Sequence, residues 1–512
     1  MVEASLSTRQ VRVAKLLLLL VFVVVGWGVA PAQEPCEQEV SQLNPAQMQC
    51  PPGIPLDRSI FNPTPLIDGG GYNGHRLRYP DPDTGPEIVS LYGHHGQNEQ
   101  AIGDTLAQAH YNAGITEASQ IVPRCPDGST TNCAASDLRI VFLFIGFSNC
   151  DIEVCGSKSD IWADPASGFK GIAGQGCATT CNNLHNPEGY PAWNNTSNPD
   201  DGPTESLLYQ IYAENKLQQR PQVVFFDGAF GGQTLDKWDP TALGFYADPD
   251  HPCPFGSPAK VHDPECNYSR VKALLEHNGF TENQVQAIFL KSSTSFPQCD
   301  IQGEMQNPNN PGHCTTGYTV SDAHVSEQYL GNIMRYLKQG LPPCGVGPCS
   351  RYPNLHQVFV TSRIYGGYAQ NTTGTHGGST AGCLSPEPYA YEEAFGVQRL
   401  IVAQIDGTAD TYSGNVSYPN DAPWFDWGPY LWANGDTGRS DGLRWCDTTS
   451  NFTCAGKLDF RYGQTGGADD YLWGDHTHPS AQGAGRVSGL ILDFLGRTPH
   501  QRNAFVPWLD AP

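Results

Sequence analysis

Between residues 137 and 497 the apolar positions of the chain follow two alternating periods. Four compact runs, 138–145, 222–226, 285–290 and 357–361, are almost continuously apolar and are bounded by polar residues or Gly. Runs this short and this apolar predict strands buried on both faces. Between and after them the period lengthens. Val325, Tyr329, Leu330, Ile333, Met334 and Leu337 recur at helical spacing before Gly340, and a second helix is expected from about Glu387 through Ala394, Val397, Ile401 and Ile405. A last helix carries Val487, Leu490, Ile491, Phe494 and Leu495 on one face. Strand and helix in alternation predict an α/β domain built on a parallel sheet covered by helices.

The rest of the chain lacks that rhythm. Residues 33–136 are rich in Pro, Gly, Gln and Asn and read as an irregular N-terminal extension, and residues 498–512 as a C-terminal tail. Insertions interrupt the domain at about 150–203, 233–267, 296–320, 366–385 and 406–473, in keeping with 56 Gly and 41 Pro in 512 residues. Residues 1–32 read as a signal peptide: Arg9, Arg12 and Lys15 precede the apolar run 16–25, and Ala30-Pro31-Ala32 offers a cleavage site. A membrane anchor is the competing reading, but the run falls short of the ~20 apolar residues a spanning helix needs. The expected product is secreted or periplasmic, with no membrane span after cleavage.

Cysteine usage supports that compartment. All 17 cysteines follow the leader, and many form close couples: Cys125 with Cys133, Cys177 with Cys181, Cys253 with Cys266, Cys299 with Cys314, Cys344 with Cys349, Cys446 with Cys454. These predict disulfides stapling loops that have no core of their own, with Cys383 the expected odd thiol. Zinc half-sites are the alternative, but no second pair or His stands at the required spacing, so no metal is expected. With 52 acidic against 29 basic residues the net charge is −23, which argues against a nucleic-acid partner.

Three places carry candidate chemistry. Gly146-Phe147-Ser148-Asn149 follows the most apolar strand, putting Ser148 at the carboxyl edge where open α/β sheets bind ligands; a helix cap is the plainer reading. Asp475-His476-Thr477-His478-Pro479 precedes the last helix, and there a carboxylate can fix one imidazole tautomer while the other nitrogen serves as a base. A cap with an incidental histidine, or a metal site from Asp475, His476 and His478, are its alternatives. Phe226-Asp227-Gly228-Ala229-Phe230-Gly231-Gly232-Gln233-Thr234 follows the second strand, and its glycines allow backbone N–H groups near a reacting oxygen. A tight strand-to-helix turn would use the same residues.

Together the three blocks resemble the SGNH or GDSL-type hydrolase superfamily, in the Gly-x-Ser-Asn form of the carbohydrate acetylesterase and sialate O-acetylesterase branches. The resemblance implies a flavodoxin-like three-layer αβα sandwich with a parallel sheet and long disulfide-stapled insertions. It also implies Ser148 as nucleophile, His478 as base, Asp475 as its orienting acid, and an oxyanion hole from the backbone N–H groups of Ser148 and Gly232. No cofactor is implied. The third block departs from the pattern: Lys291-Ser292-Ser293-Thr294-Ser295 stands where the family has Gly-x-Asn-Asp, so either Thr294 or a neighbouring serine is the expected substitute donor, or the hole has two donors only. Gln302-Gly303-Glu304 resembles a block of some acetylesterases but comes about ten residues late and is set aside as coincidence.

The expected function is a secreted serine esterase acting on short acyl, above all acetyl, esters of a small molecule or polysaccharide. A non-catalytic secreted binding protein on the same fold is the alternative, motivated by the missing Asn. Trp424 and Trp427, in the aromatic stretch before Asp475, are the expected sugar-stacking residues, with packing inside an insertion as the competing reading. Arg363 and Tyr365 lie beyond the fourth strand at the same sheet edge. His94-His95 is read as ordinary surface.

Overall fold

The computed structural model describes Leu66 and residues 105–154, 206–212, 214–230, 233–241, 265–294, 297–301, 304, 314, 317–341, 350–366, 387–435, 437–439, 441–447, 461–462, 479 and 481–510. All of them lie within the unit Asn44–Pro512. Five strands form one sheet: β1 (Ile140–Gly146), β2 (Val223–Asp227), β3 (Val285–Lys291), β4 (Gln357–Val360) and β5 (Trp424–Trp427). Every pairing is parallel and the order is β2-β1-β3-β4-β5. The first four strands fall within two residues of the predicted runs. The fifth was expected only as an aromatic insertion.

This is the flavodoxin-like order, in which the chain steps from β1 outward to β2 and then back across β1 to β3. The reversal falls between β1 and β3, and the carboxyl ends of strands at such a point are where open sheets of this order bind ligands. In register, Phe144 pairs with Asp227 on one side of β1, and Gly146 with Lys291 on the other, so these residues sit at one edge.

The described helices are α1 (Thr105–Gln120), α2 (Ser148–Val154), α3 (Leu207–Tyr212), α4 (Leu235–Trp238), α5 (Cys266–His277), α6 (Asp322–Gln339), α7 (Tyr389–Asp406) and α8 (Ala481–Leu495). Alternation along β1 divides them into two layers. Val141, Leu143 and Ile145 share a core with Val271, Leu274, Leu330, Ile333, Ala394 and Ile401 of α5, α6 and α7. Ile140, Phe142 and Phe144 point the other way, onto Val154, Leu207, Ile211, Val487 and Ile491 of α2, α3 and α8. The result is the three-layer α/β sandwich.

Two segments expected to be irregular are part of this second layer. Helix α1 lies inside the supposed extension and lays His110, Gly114 and Ala118 against the sheet. A Cβ at Gly114 would overlap the Trp424 ring, so glycine permits the close approach. The tail contributes Phe505 and Trp508, whose indole N–H donates to Gln357 Oε1 at 3.1 Å.

Disulfides join Cys125 to Cys133 and Cys299 to Cys314, two of the expected couples, and Cys266 is also disulfide-bonded. The free thiol among the described residues is Cys150, buried in α2; Cys383 lies outside them. Among the described residues no helix is long and apolar enough to cross a membrane, and residues 1–32 lie outside that set.

Candidate active site

The site begins with the end of β1. Gly146 has φ +155°, and a Cβ there would overlap the Lys291 carbonyl oxygen, so only glycine lets β1 and β3 converge this closely. Phe147 N donates to that oxygen at 3.4 Å, and Ser148 then opens α2, half-buried, at the carboxyl edge of the sheet. The Gly146 carbonyl accepts from Phe230 N at 3.2 Å and from Trp238 Nε1 at 3.1 Å. The loop after β2 is thereby tied to the residue pair preceding Ser148.

Gly231 and Gly232 lie outside the described residues, but both flanks of the pair are fixed. Phe230 bonds to Gly146 as above, and the Gln233 carbonyl accepts from Trp238 Nε1 at 3.1 Å. The Gln233 side chain is held by Asn267 Nδ2 at 2.9 Å, and the Leu235 N–H donates to Ser293 O at 2.9 Å. Asn267, the Asn of an Asn-Tyr-Ser sequon, is therefore wholly buried and committed inside the fold.

Asp475 and His478 also lie outside the described residues. Helix α8 starts three positions after His478 in the chain and is fastened to α2: Ser488 Oγ donates to Glu153 O at 2.8 Å, and Cys150 and Val154 share a core with Val487 and Ile491.

Several ionisable groups are buried around α2. Asp151 and Asp227 face each other, each 5% exposed. Burial, reinforced by the charge of Asp151, holds Asp227 well above the usual carboxylate range. Burial also pushes Asp151 up to about 7, opposed by the hydrogen bond from Asp227 and by Arg270. Burial thus disfavours ionising both carboxyls at once, and Asp227 accepts from Ala229 N at 2.9 Å. Arg270 donates to the Gly228 carbonyl and lies over the Phe230 ring at 4.9 Å. Lys291 and Glu153 form a wholly buried ion pair; burial depresses the lysine and Glu153 opposes the shift. The Cys150 thiol is raised well above its usual value, first by burial and then by Asp227, so it is a poor nucleophile.

Two expectations are corrected. Trp424 and Trp427 do not face a substrate: both are 0% exposed in β5. Trp424 stacks on His110 at 5.3 Å and donates to His110 O at 2.9 Å, while Trp427 belongs to the opposite core. Thr294, the expected third oxyanion donor, is 4% exposed, and both its N–H and its hydroxyl lie 3.3 Å from Glu393 Oε1. Glu304 accepts from His324 Nδ1 at 2.6 Å, Ser321 N at 2.9 Å and Tyr412 OH at 2.8 Å, so it braces the start of α6. Among the described residues no three His, Cys, Asp or Glu side chains converge to hold a metal ion. One residue gains weight: Arg363, 2% exposed, reaches from beyond β4 to Ser293 Oγ at 3.2 Å and lies over the Phe147 ring at 5.4 Å.

Comparison with protein-family models, curated proteins and solved structures finds no match to this chain.

Proposed function

We propose that the protein is a secreted serine esterase acting on short acyl esters, with acetylated carbohydrate as the natural substrate class. The observation that carries this reading is the position of Ser148: it opens a helix directly off β1, at the carboxyl edge and at the point where the strand order reverses. That is where open parallel sheets assemble their ligand sites. The Gly-x-Ser-Asn block around it and the Asp475-x-x-His478 block ahead of α8 supply the remaining chemistry.

In this mechanism Ser148 Oγ attacks the acyl carbonyl while His478 takes its proton and Asp475 holds the imidazole. The Ser148 and Gly232 N–H groups bind the oxyanion. The C–O bond to the alcohol breaks, the alcohol leaves with the proton from His478, and water releases the acid by the reverse sequence. In that second half water gives its proton to His478 as it attacks, and His478 returns it to Ser148 Oγ as the acid leaves. Export to an oxidising compartment fits the disulfides and the leader-like residues 1–32. Binding without catalysis is the second reading, favoured by the engagement of Thr294 with Glu393 and by the missing Asn.

Hydrolysis of p-nitrophenyl acetate, butyrate and long-chain esters, followed by acetate release from acetylated xylan, tests the proposal. Short chains are expected to be preferred. Ser148→Ala is expected to lower kcat/KM by about 10³-fold or more, and activity is expected to fall as an imidazole of ordinary pKa about 6.5 protonates. Activity that survives Ser148→Ala unchanged contradicts the assignment, and a preference for long chains contradicts the substrate class.

A further inference from the structure

Arg363 presents an unusual arrangement of donors at the same sheet edge. Its Nη1 donates to Ser293 Oγ at 3.2 Å, whereas Nε and Nη2 are buried and have no hydrogen-bond partner among the described residues. Those two groups form one edge of the guanidinium, and their N–H bonds run parallel. This edge matches the two oxygens of a carboxylate. Enclosing a guanidinium at 2% exposure with one edge unused is costly unless an anion completes it. The nearby carboxyl of Glu387 does not do so: its oxygens accept from Gly366 N at 2.8 Å, Trp432 Nε1 at 2.8 Å and Tyr391 N at 3.1 Å. Lys291, the next cation, is spent on Glu153. The guanidinium crosses from the end of β4 over Ser293, beyond β3, to the ring of Phe147, the neighbour of Ser148.

We infer that Arg363 is a specificity determinant that takes a carboxylate of the ester substrate on its Nε–Nη2 edge. The substrate is then an ester bearing a carboxylate on either its acyl or its alcohol part. This inference rests on Ser148 being the nucleophile of a site at this edge. The net charge of −23 does not itself favour an anionic substrate, so the selection must be local, at this sheet edge.

Matched substrates test it. On the acyl side, p-nitrophenyl hemisuccinate is compared with its carboxamide twin; on the alcohol side, an acetylated uronic acid is compared with its uronamide. In at least one pair kcat/KM is expected to favour the carboxylate by about tenfold or more, and that ratio is expected to collapse toward one in Arg363→Met. Arg363→Lys, which keeps the charge but loses the fork, is expected to retain only part of the preference. If the Met variant does not fold, the wild-type ratios and Arg363→Lys decide. No preference in either pair, or a preference that Arg363→Lys retains in full, overturns the inference while p-nitrophenyl acetate turnover lost in Ser148→Ala leaves the esterase reading standing. No Ser148-dependent turnover of any of these esters overturns both.

Discussion

Asp151 and Asp227 lie within three residues of Ser148 and at the end of β2, and they share a proton in a buried contact next to Arg270. Their joint effect on stability has a definite sign. A carboxyl whose folded pKa is raised stabilises the fold at low pH, and the contribution is lost as pH rises from the ordinary carboxyl range through the folded value. For Asp151 that window runs from about 4 to about 7. Asp151→Asn keeps an acceptor for Asp227 and removes the titration. Relative to wild type the variant is therefore expected to be more stable at pH 8 than at pH 5 by about 1 kcal/mol or more, read from urea unfolding at the two pH values. Equal effects at both would show that the two carboxyls do not share a proton. Ser148 itself was legible as a serine at a strand end, because β1 is the most apolar of the predicted strands. The Asp151–Asp227 pair was not, because nothing in the spacing of two acids so far apart says that β1 and β2 are neighbours.

Elements were legible to the degree that their buried faces are apolar. The runs that became β1 to β4, and the periods of α6, α7 and α8, are dominated by Val, Ile, Leu and Phe, so burial could be read from residue type. Helix α1 buries His110, Gly114 and Ala118 at spacings of four, the right period carried by the wrong residue types. Strand β5 is four residues long, lies between Pro423 and Gly428, and includes Asp426, which burial pushes up to about 7. Both elements meet at one contact, where the Trp424 ring packs over Gly114 and against Phe505 at 4.6 Å. Trp424→Ala is expected to cost about 3–5 kcal/mol in unfolding free energy, as for a large aromatic removed from a core. A stacking tryptophan on a substrate surface would instead weaken sugar-ester binding with unfolding barely changed, and that result would contradict its place in β5.

At the scale of the whole molecule the cysteines report the compartment. With Cys150 free, 17 minus 1 leaves 16, an even number that can all pair. The account therefore predicts no titratable thiol in the native protein, since Cys150 is buried, and one thiol per chain after denaturation without reductant. Non-reducing peptide mapping is expected to recover Cys125 with Cys133, Cys299 with Cys314, and Cys150 alkylated. Several free thiols on denaturation would remove the case for an oxidising compartment. They would leave the sheet order, and with it the position of Ser148, untouched.

That position is the centre of the account, and labelling tests it most directly. Folded wild-type protein is treated with a fluorophosphonate, which needs an activated serine but no particular ester, and the modified peptide is mapped. The prediction is a single adduct on Ser148, lost in Ser148→Ala and much slowed in His478→Ala. No adduct on well-folded protein, or an adduct on another serine that survives Ser148→Ala, would contradict the esterase assignment.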